Sequence, residues 1–270
     1  MKHDERAEIV VEEREVDNSG ALVVSVRLNR PAKRNALTRA MLEQLGEIFR
    51  SCAAQADVRA VILTGTGQQA FCAGTDIAEL DGLDAEGALA AAQRGQETCE
   101  AIDLCGVPVI AAVNGIAAGG GCELALACHL RVAAAGHAAF SLPEIKLGMI
   151  PAYGGTQRLA RAVGHGRALA AMLAGDSLTA DEALTLGLVN RVVPPEELAR
   201  EASTLAHAVS QLAPLAVRAC LAAVTRGARL PLADGLALEA ELFAQLFATE
   251  DVREGTRAFL EKRTPKFKGC

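Results

Sequence analysis

The sequence predicts an α/β core followed by a helical tail, and three observations carry that prediction. Val109–Val113 is a short apolar run with β-branched residues that ends at Asn114-Gly115 and leads, within a few residues, into a glycine triplet and a helix-forming segment. Two alternating stretches open the chain with no helix between them. Beyond Pro194-Pro195 the apolar residues recur at helical spacing.

Residues 8–16 and 21–28 alternate as strands around a hairpin loop, Asp17-Asn18-Ser19-Gly20, so the chain opens as a meander rather than a βαβ unit. A polar turn, Arg30 to Asn35, precedes Thr38, the expected N-cap of an amphipathic helix reaching about residue 55. Residues 59–64 form a buried strand that runs into Gly65-Thr66-Gly67. A dinucleotide-binding reading of those glycines needs a helix next, and residues 68–74 lack a helical pattern. Residues 80–105 are helical, with Gly82, Gly87 and Gly95 lowering intrinsic stability, and are expected to move. After the central block, residues 153–174 read as one helical stretch. Thr179-Ala180-Asp181-Glu182 is a capping box for a short helix closed by Gly187, and residues 188–193 return to a strand. Pro194-Pro195 marks a boundary that divides the chain into residues 1–194 and a helical domain, 195–270, with helices near 196–211, 214–226, 232–248 and 251–263.

At 270 residues, 51% of them apolar, the chain is long enough to bury a large core. A net charge of −6 excludes a generic nucleic-acid binder, and the absence of Trp with a single Tyr leaves no platform for stacked bases. Met1 to Arg6 is charged, unlike a signal peptide, and Glu123 and Arg131 interrupt the longest apolar stretch, so no membrane association and a cytoplasmic location are expected. The eight cysteines contain no C-x-x-C pair. Cys72, Cys122 and Cys128 lie in apolar or glycine-rich surroundings and read as small core residues; Cys122 with Cys128-His129 fits no familiar zinc spacing, so no metal is expected.

Chemistry and backbone geometry coincide between Pro108 and Gly148. Gly119-Gly120-Gly121 at a helix entry lets another molecule approach the main chain, and the first N–H groups of the helix have no partner inside it, so they can donate to an oxyanion. Glu123 lies in the first turn of that apolar helix, where a buried carboxylate needs a partner or a purpose; the bland alternative is a solvated residue complementing the helix dipole. Glu144 follows 21 positions later (144 − 123), held by Pro143 at the end of an extended segment. Ser141 near His137 raises a serine-hydrolase reading, but no G-x-S-x-G elbow surrounds it.

The blocks Pro108 to Gly115, Gly119 to Ala125, Pro143 to Gly148 and Gly154 to Leu159 resemble the enoyl-CoA hydratase (crotonase) family. Leu28-Asn29-Arg30-Pro31, Asn35-Ala36-Leu37 and Phe259-Leu260-Glu261-Lys262-Arg263 extend the likeness along most of the chain. The resemblance implies a spiral core of repeated β-β-α units in two roughly perpendicular sheets, a helical C-terminal trimerisation domain, and a homotrimer or a hexamer built from two trimers. It implies an acyl-CoA substrate with no further cofactor, and catalysis by Glu123 and Glu144. The oxyanion donors would be the main-chain N–H groups of Gly120 and of Thr75, in Phe71-Cys72-Ala73-Gly74-Thr75-Asp76-Ile77, where the family more often has Ala. On this reading the Thr75 side chain is incidental. Lys33, Ala36, Leu37, Ala73, Asp76, Ile77, Gly119 and Pro143 would line the CoA and substrate site; without the resemblance, Lys33 and Arg34 read as solvated loop charges. Phe259 and Lys262 would reach a neighbouring subunit's CoA. Ala78 stands where some hydratases carry Lys, which removes one phosphate contact. A family isomerase, another acyl-CoA lyase and a non-catalytic acyl-CoA binder are the alternatives; glutamates at both positions favour hydration.

Overall fold

The computed structural model describes residues 7–15 and 21–270; the proposed hairpin loop, Asp17 to Gly20, and the charged start, Met1 to Arg6, lie outside them. The opening meander is present: β1 (Ile9–Glu15) pairs antiparallel with β2 (Leu22–Leu28), with no helix between them.

From there a unit recurs three times, each time a strand in a large sheet, a short strand in a small sheet, and a helix. The first is β3 (Val58–Gly65), β4 (Ala70–Cys72) and, in chain order, the second helix of the molecule, since α1 (Arg39–Ala54) precedes it and α2 (Ala85–Asp103) follows. The second is β5 (Val109–Val113), β6 (Ile116–Ala118) and α3 (Gly120–Ala127). The third is β7 (Leu130–Ala134), β8 (Ala139–Ser141) and a broken helix, α4 (Gly155–Val163) with α5 (His165–Ala174). Strands β3, β5 and β7 run parallel in one sheet, and β4, β6 and β8 run parallel in the other. The small strand β9 (Leu178–Thr179), helix α6 (Ala180–Thr185) and β10 (Arg191–Val193) complete sheets ordered β1-β2-β3-β5-β7-β10 and β4-β6-β8-β9.

Local chemistry accounts for these elements. All five residues of β5 are buried, as a parallel strand covered on both faces requires. Thr38 caps α1 by accepting the Met41 N–H at 3.1 Å, and α1 buries Met41, Leu42, Leu45, Phe49 and Cys52. The Thr179–Glu182 capping box is formed in both directions. The stretch at 153–174 is two helices because Gly164, at φ 83°, leaves the helical region between them. Cys52, Cys72, Cys99, Cys105, Cys122 and Cys128 are buried, and burial raises the thiols of Cys72, Cys105 and Cys128 to about 12.

Pro194-Pro195 ends β10, but the large sheet's packing continues beyond it. Leu198, Ala202 and Ala206 of α7 (Leu198–Ser210) pack on Ala60, Ile62, Ile110 and Val132, so this first helix of the tail covers the sheet. Helices α8 (Pro214–Gly227), α9 (Leu232–Leu246) and α10 (Glu250–Glu261) follow, with Phe243 63% and Phe247 58% exposed. No single helix among the described residues is long and apolar enough to cross a membrane.

Candidate active site

Helix α3 starts where the two sheets feed into one another, and its glycines explain the geometry. Gly119 has φ 51° and ψ −128°, a combination closed to residues with a Cβ, and its N–H donates to the Ser141 carbonyl at 2.9 Å. A Cβ on Gly121 would fall 2.2 Å from the Cys72 carbonyl oxygen, so α3 can lie on β4 only without a side chain there. Gly120 is the first residue of the helix, and its N–H has no partner within it.

The second candidate donor is positioned by a parallel bridge. Leu37 donates its N–H to the Gly74 carbonyl and accepts the Asp76 N–H, both at 2.8 Å, which turns the N–H of the intervening Thr75 away from Leu37. The two loops meet closely, since a Cβ on Gly74 would lie 3.4 Å from the Gly120 nitrogen. Arg30 fixes the same loop through Asp76 Oδ2 (3.1 Å) and the Ala36 carbonyl (2.6 Å), and this ion pair holds the Asp76 carboxyl below its ordinary range. Asn35, fully buried, donates to the carbonyls of Thr66 (3.0 Å) and Ala70 (2.9 Å).

Glu123 is 1% exposed, which rules out the solvated first-turn reading. Its Oε1 accepts the N–H of Tyr153 at 2.8 Å and that of Gly155 at 2.6 Å. Gly155 opens α4, so the carboxylate sits at the N-termini of two helices, its own and the next. The turn that supplies these donors is braced from behind: Gln96 donates to the Ala152 carbonyl at 2.9 Å and Arg158 to the Tyr153 carbonyl at 3.0 Å. Glu144 does not end an extended segment as expected. It opens a 3-10 turn, Glu144–Leu147, closed by Gly148 in the left-handed region. Its Oε1 lies 3.0 Å from the point a Cβ on Gly119 would occupy, while its Oε2 is buried without a hydrogen-bond partner. The Glu144 carboxyl thus lies at the entrance of α3, close enough for its charge to act on Glu123, which is held at the opening of α4.

Burial raises Glu123 to about 7; the charge of Glu144 adds to the shift, and the N–H groups of Gly155 and Tyr153 oppose it. Burial also raises Glu144. Two carboxyls raised by burial, beside a helix-opening N–H at Gly120 and the Thr75 loop that lies against it, form an arrangement that can exchange protons with a substrate whose carbonyl oxygen is held as an oxyanion.

The family model for enoyl-CoA hydratase/isomerase matches residues 18–270. The chain belongs to the enoyl-CoA hydratase/isomerase family. Among relatives, the short-chain-enoyl-CoA hydratase of Clostridium acetobutylicum is 41% identical over 89% of this chain and 92% of its own length. The crotonyl-CoA hydratase of Syntrophomonas wolfei is 42% identical over 89% and 92%. The crystal structure of an enoyl-CoA hydratase from Bacillus anthracis superposes with a TM-score of 0.90, at 40% identity over 98% of this chain and 100% of that one. The recurring strand-strand-helix unit with its helical tail is therefore the crotonase fold of this family.

Of the residues the resemblance points to, Glu144 lies against Gly119 and Thr75 against Gly120, Glu123 is held at the opening of α4, and Pro143 precedes the turn that Glu144 opens. Leu37 is fully buried and Ala36 and Ala73 partly so, forming the wall behind the Thr75 loop. The Asp76 carboxylate is committed to Arg30 and so serves the loop. Lys33, Ile77 and Ala78 are exposed, and Phe259 (83%) and Lys262 are exposed at the end of α10. A cavity of about 1490 Å³ lies elsewhere, between the outer face of the large sheet and α7, lined by Ser25, Thr64, Asn114, His137 and His207. His129, beside Cys128, is structural: its ring accepts the Val109 N–H at 2.9 Å and bonds the Asp103 carbonyl at 3.1 Å. Sequence reasoning missed the roles of Arg30, Asn35, Gln96 and above all Tyr153, which it read only as the start of a helical stretch.

Proposed function

We propose that this protein is an enoyl-CoA hydratase, adding water reversibly and syn to a trans-2-enoyl-CoA to give a 3-hydroxyacyl-CoA. The observation that carries this reading is the pair of carboxyls, Glu144 against Gly119 and the buried Glu123 at the opening of α4, next to the helix-opening N–H of Gly120 and the Thr75 loop. Relatives named for short-chain enoyl-CoA and crotonyl-CoA hydration support it.

In this mechanism the thioester carbonyl accepts hydrogen bonds from Thr75 and Gly120, which makes the β-carbon electrophilic and holds the developing enolate oxygen. Glu123 takes a proton from water as its oxygen bonds to the β-carbon, and Glu144 delivers its own proton to the α-carbon. Two N–H donors favour the ionised form of Glu123, while the unpartnered Oε2 of Glu144 suits a carboxyl that holds its proton. The two titrate as a coupled pair. The CoA portion would lie along Lys33, Ala36, Leu37, Ala73, Asp76 and Ile77. Phe259 and Lys262 would complete the site of a neighbouring subunit in a trimer or a hexamer, whose contacts would cover the exposed rings of Phe243 and Phe247. Besides water, the acyl-CoA is the only small molecule the mechanism requires, and a cytoplasmic enzyme fits it.

Adding the protein to crotonyl-CoA tests the proposal: the absorbance of the conjugated thioester should fall as 3-hydroxybutyryl-CoA accumulates. No fall with tight binding would make it a binder, and turnover restricted to 3-enoyl-CoA would make it an isomerase.

A further inference from the structure

The mechanism above uses only the main-chain N–H of the chain's single tyrosine, yet the residue touches three parts of the site. Tyr153 is 5% exposed, and its ring fills the place that two helices leave by lacking a side chain. A Cβ on Gly95 of α2 would fall 1.9 Å from its Cδ1, and one on Gly120 of α3 would fall 2.8 Å from its Cε2. Gly95 is therefore the socket of this ring, not simply a weak point in α2. The main-chain N–H of Tyr153 holds Glu123, and at the far end of the ring its Oη accepts a hydrogen bond from Thr75 Oγ1 at 2.7 Å. The Thr75 side chain is thus tied into the site, contrary to the expectation that it is incidental.

We propose that the Thr75–Tyr153 hydroxyl pair is a positioning device, which holds the Thr75 N–H in register with the Gly120 N–H and keeps the Tyr153 N–H on Glu123. The Thr75 loop is tethered by Leu37 and Arg30 on one side, and Tyr153 supplies a tie on the other. Because Tyr153 also donates to Glu123, one residue couples the oxyanion donor to the base. Burial raises the phenol above its ordinary range, so it remains neutral across the assay range and acts by position, not by proton transfer. The role in catalysis rests on the hydratase reading; the contact itself does not.

A mutant cycle tests it. Tyr153→Phe keeps the ring between Gly95 and Gly120, Thr75→Val keeps the shape and the main-chain N–H, and Thr75→Ser keeps the hydroxyl. Loss of one net hydrogen bond corresponds to a roughly 2- to 13-fold fall in kcat for each of the first two. Their double variant should be no worse than the poorer single, Thr75→Ser should retain activity, and KM for crotonyl-CoA should scarcely move. In Tyr153→Phe the acid limb of kcat/KM should shift upward, because a slackened Tyr153 N–H stabilises ionised Glu123 less. Multiplicative losses in the double variant, or normal kcat with an unmoved acid limb in Tyr153→Phe, would overturn the proposal. So would a lowered Tm with unchanged kinetics, which marks a purely structural bond. Tyr153→Phe leaves Thr75 untouched, so a misfolded Thr75→Val cannot shield the idea. Should the wild-type chain fail to hydrate crotonyl-CoA, the hydratase reading falls alone. The same cycle is then read in the Kd of acetoacetyl-CoA, whose enolate oxygen needs the same two donors; equal affinity in all variants would sink the pair.

Discussion

Replacing Glu123 by Gln separates its cost to the fold from its use in catalysis. The amide oxygen can still accept the N–H groups of Tyr153 and Gly155, so the local frame survives while the ionisable proton is removed. Loss of a general base lowers kcat by roughly 10²–10⁴. Stability should move the other way, and with a definite pH dependence. Burial raises Glu123 from 4.5 to about 7, so below 4.5 the carboxyl is protonated in both folded and unfolded chains and carries no penalty. As pH rises through 7 the fold must ionise a carboxyl that the unfolded chain ionises more easily, and stability on the order of 3 kcal/mol is lost. Gln stays neutral and escapes that loss. In a protein of this size the Tm of Glu123→Gln relative to wild type should be about 6 °C higher at pH 8 than at pH 5. Differential scanning fluorimetry at the two pH values, paired with the crotonyl-CoA assay, reads both effects. An equal Tm difference at pH 5 and pH 8 would refute the buried-carboxyl account, and near-normal kcat would remove Glu123 from the reaction.

Glu144→Gln should also lower kcat by roughly 10²–10⁴, and the Glu123→Gln, Glu144→Gln double variant should lose far less than the product of the two; a multiplicative loss would show that they act independently. Thr75→Pro removes the main-chain N–H and should reduce kcat by at least roughly 10²–10³, with Tm measured alongside because proline also fixes φ; full activity in a folded variant would exclude that donor. Lys262→Ala should raise KM for CoA esters and weaken its salt dependence with kcat unchanged, whereas a chain that sediments as a monomer with wild-type affinity would rule out a contribution between subunits.

Features encoded within a few residues were legible in the sequence. The Thr38 cap, the Thr179–Glu182 capping box and the all-buried strand Val109–Val113 follow from short-range patterns, and they stand where those patterns put them. Pro143 was a weaker guide, because its ring restricts Leu142 and says nothing of the residues after it. Gly148, in the left-handed region, closes the turn that Glu144 opens. The proline pair at 194–195 signals the end of a strand, but only packing reveals that α7 returns to the sheet. The partners of Glu123 lie 30 and 32 residues away and are main-chain groups, which no residue type announces. Gly95 illustrates the same limit: its sequence context says only that a helix is weakened, while the ring that needs the space comes from a different β-β-α unit.

The two glutamates show how tertiary context gives similar residues unequal chemistry. By sequence each is a carboxylate beside a glycine-rich or proline-bounded turn, and exchanging their roles would violate no local rule. In the fold, Glu123 receives two N–H donors at the mouth of α4, interactions that pull its titration down against a strong effect of burial. Glu144 has no such donors for Oε2; burial raises its carboxyl, and only its own main-chain N–H works against that rise. Hydration needs one group that can accept a proton from water and another that already holds one, and an equal pair would supply each form only by chance. The hydrogen bonds around Oε1 of Glu123 therefore bear more directly on the assignment of base and acid than the presence of two glutamates does. Tyr153 contributes one of those bonds while reaching Thr75 with its hydroxyl, so the asymmetry of the carboxyls and the placement of the oxyanion donor depend on the same residue.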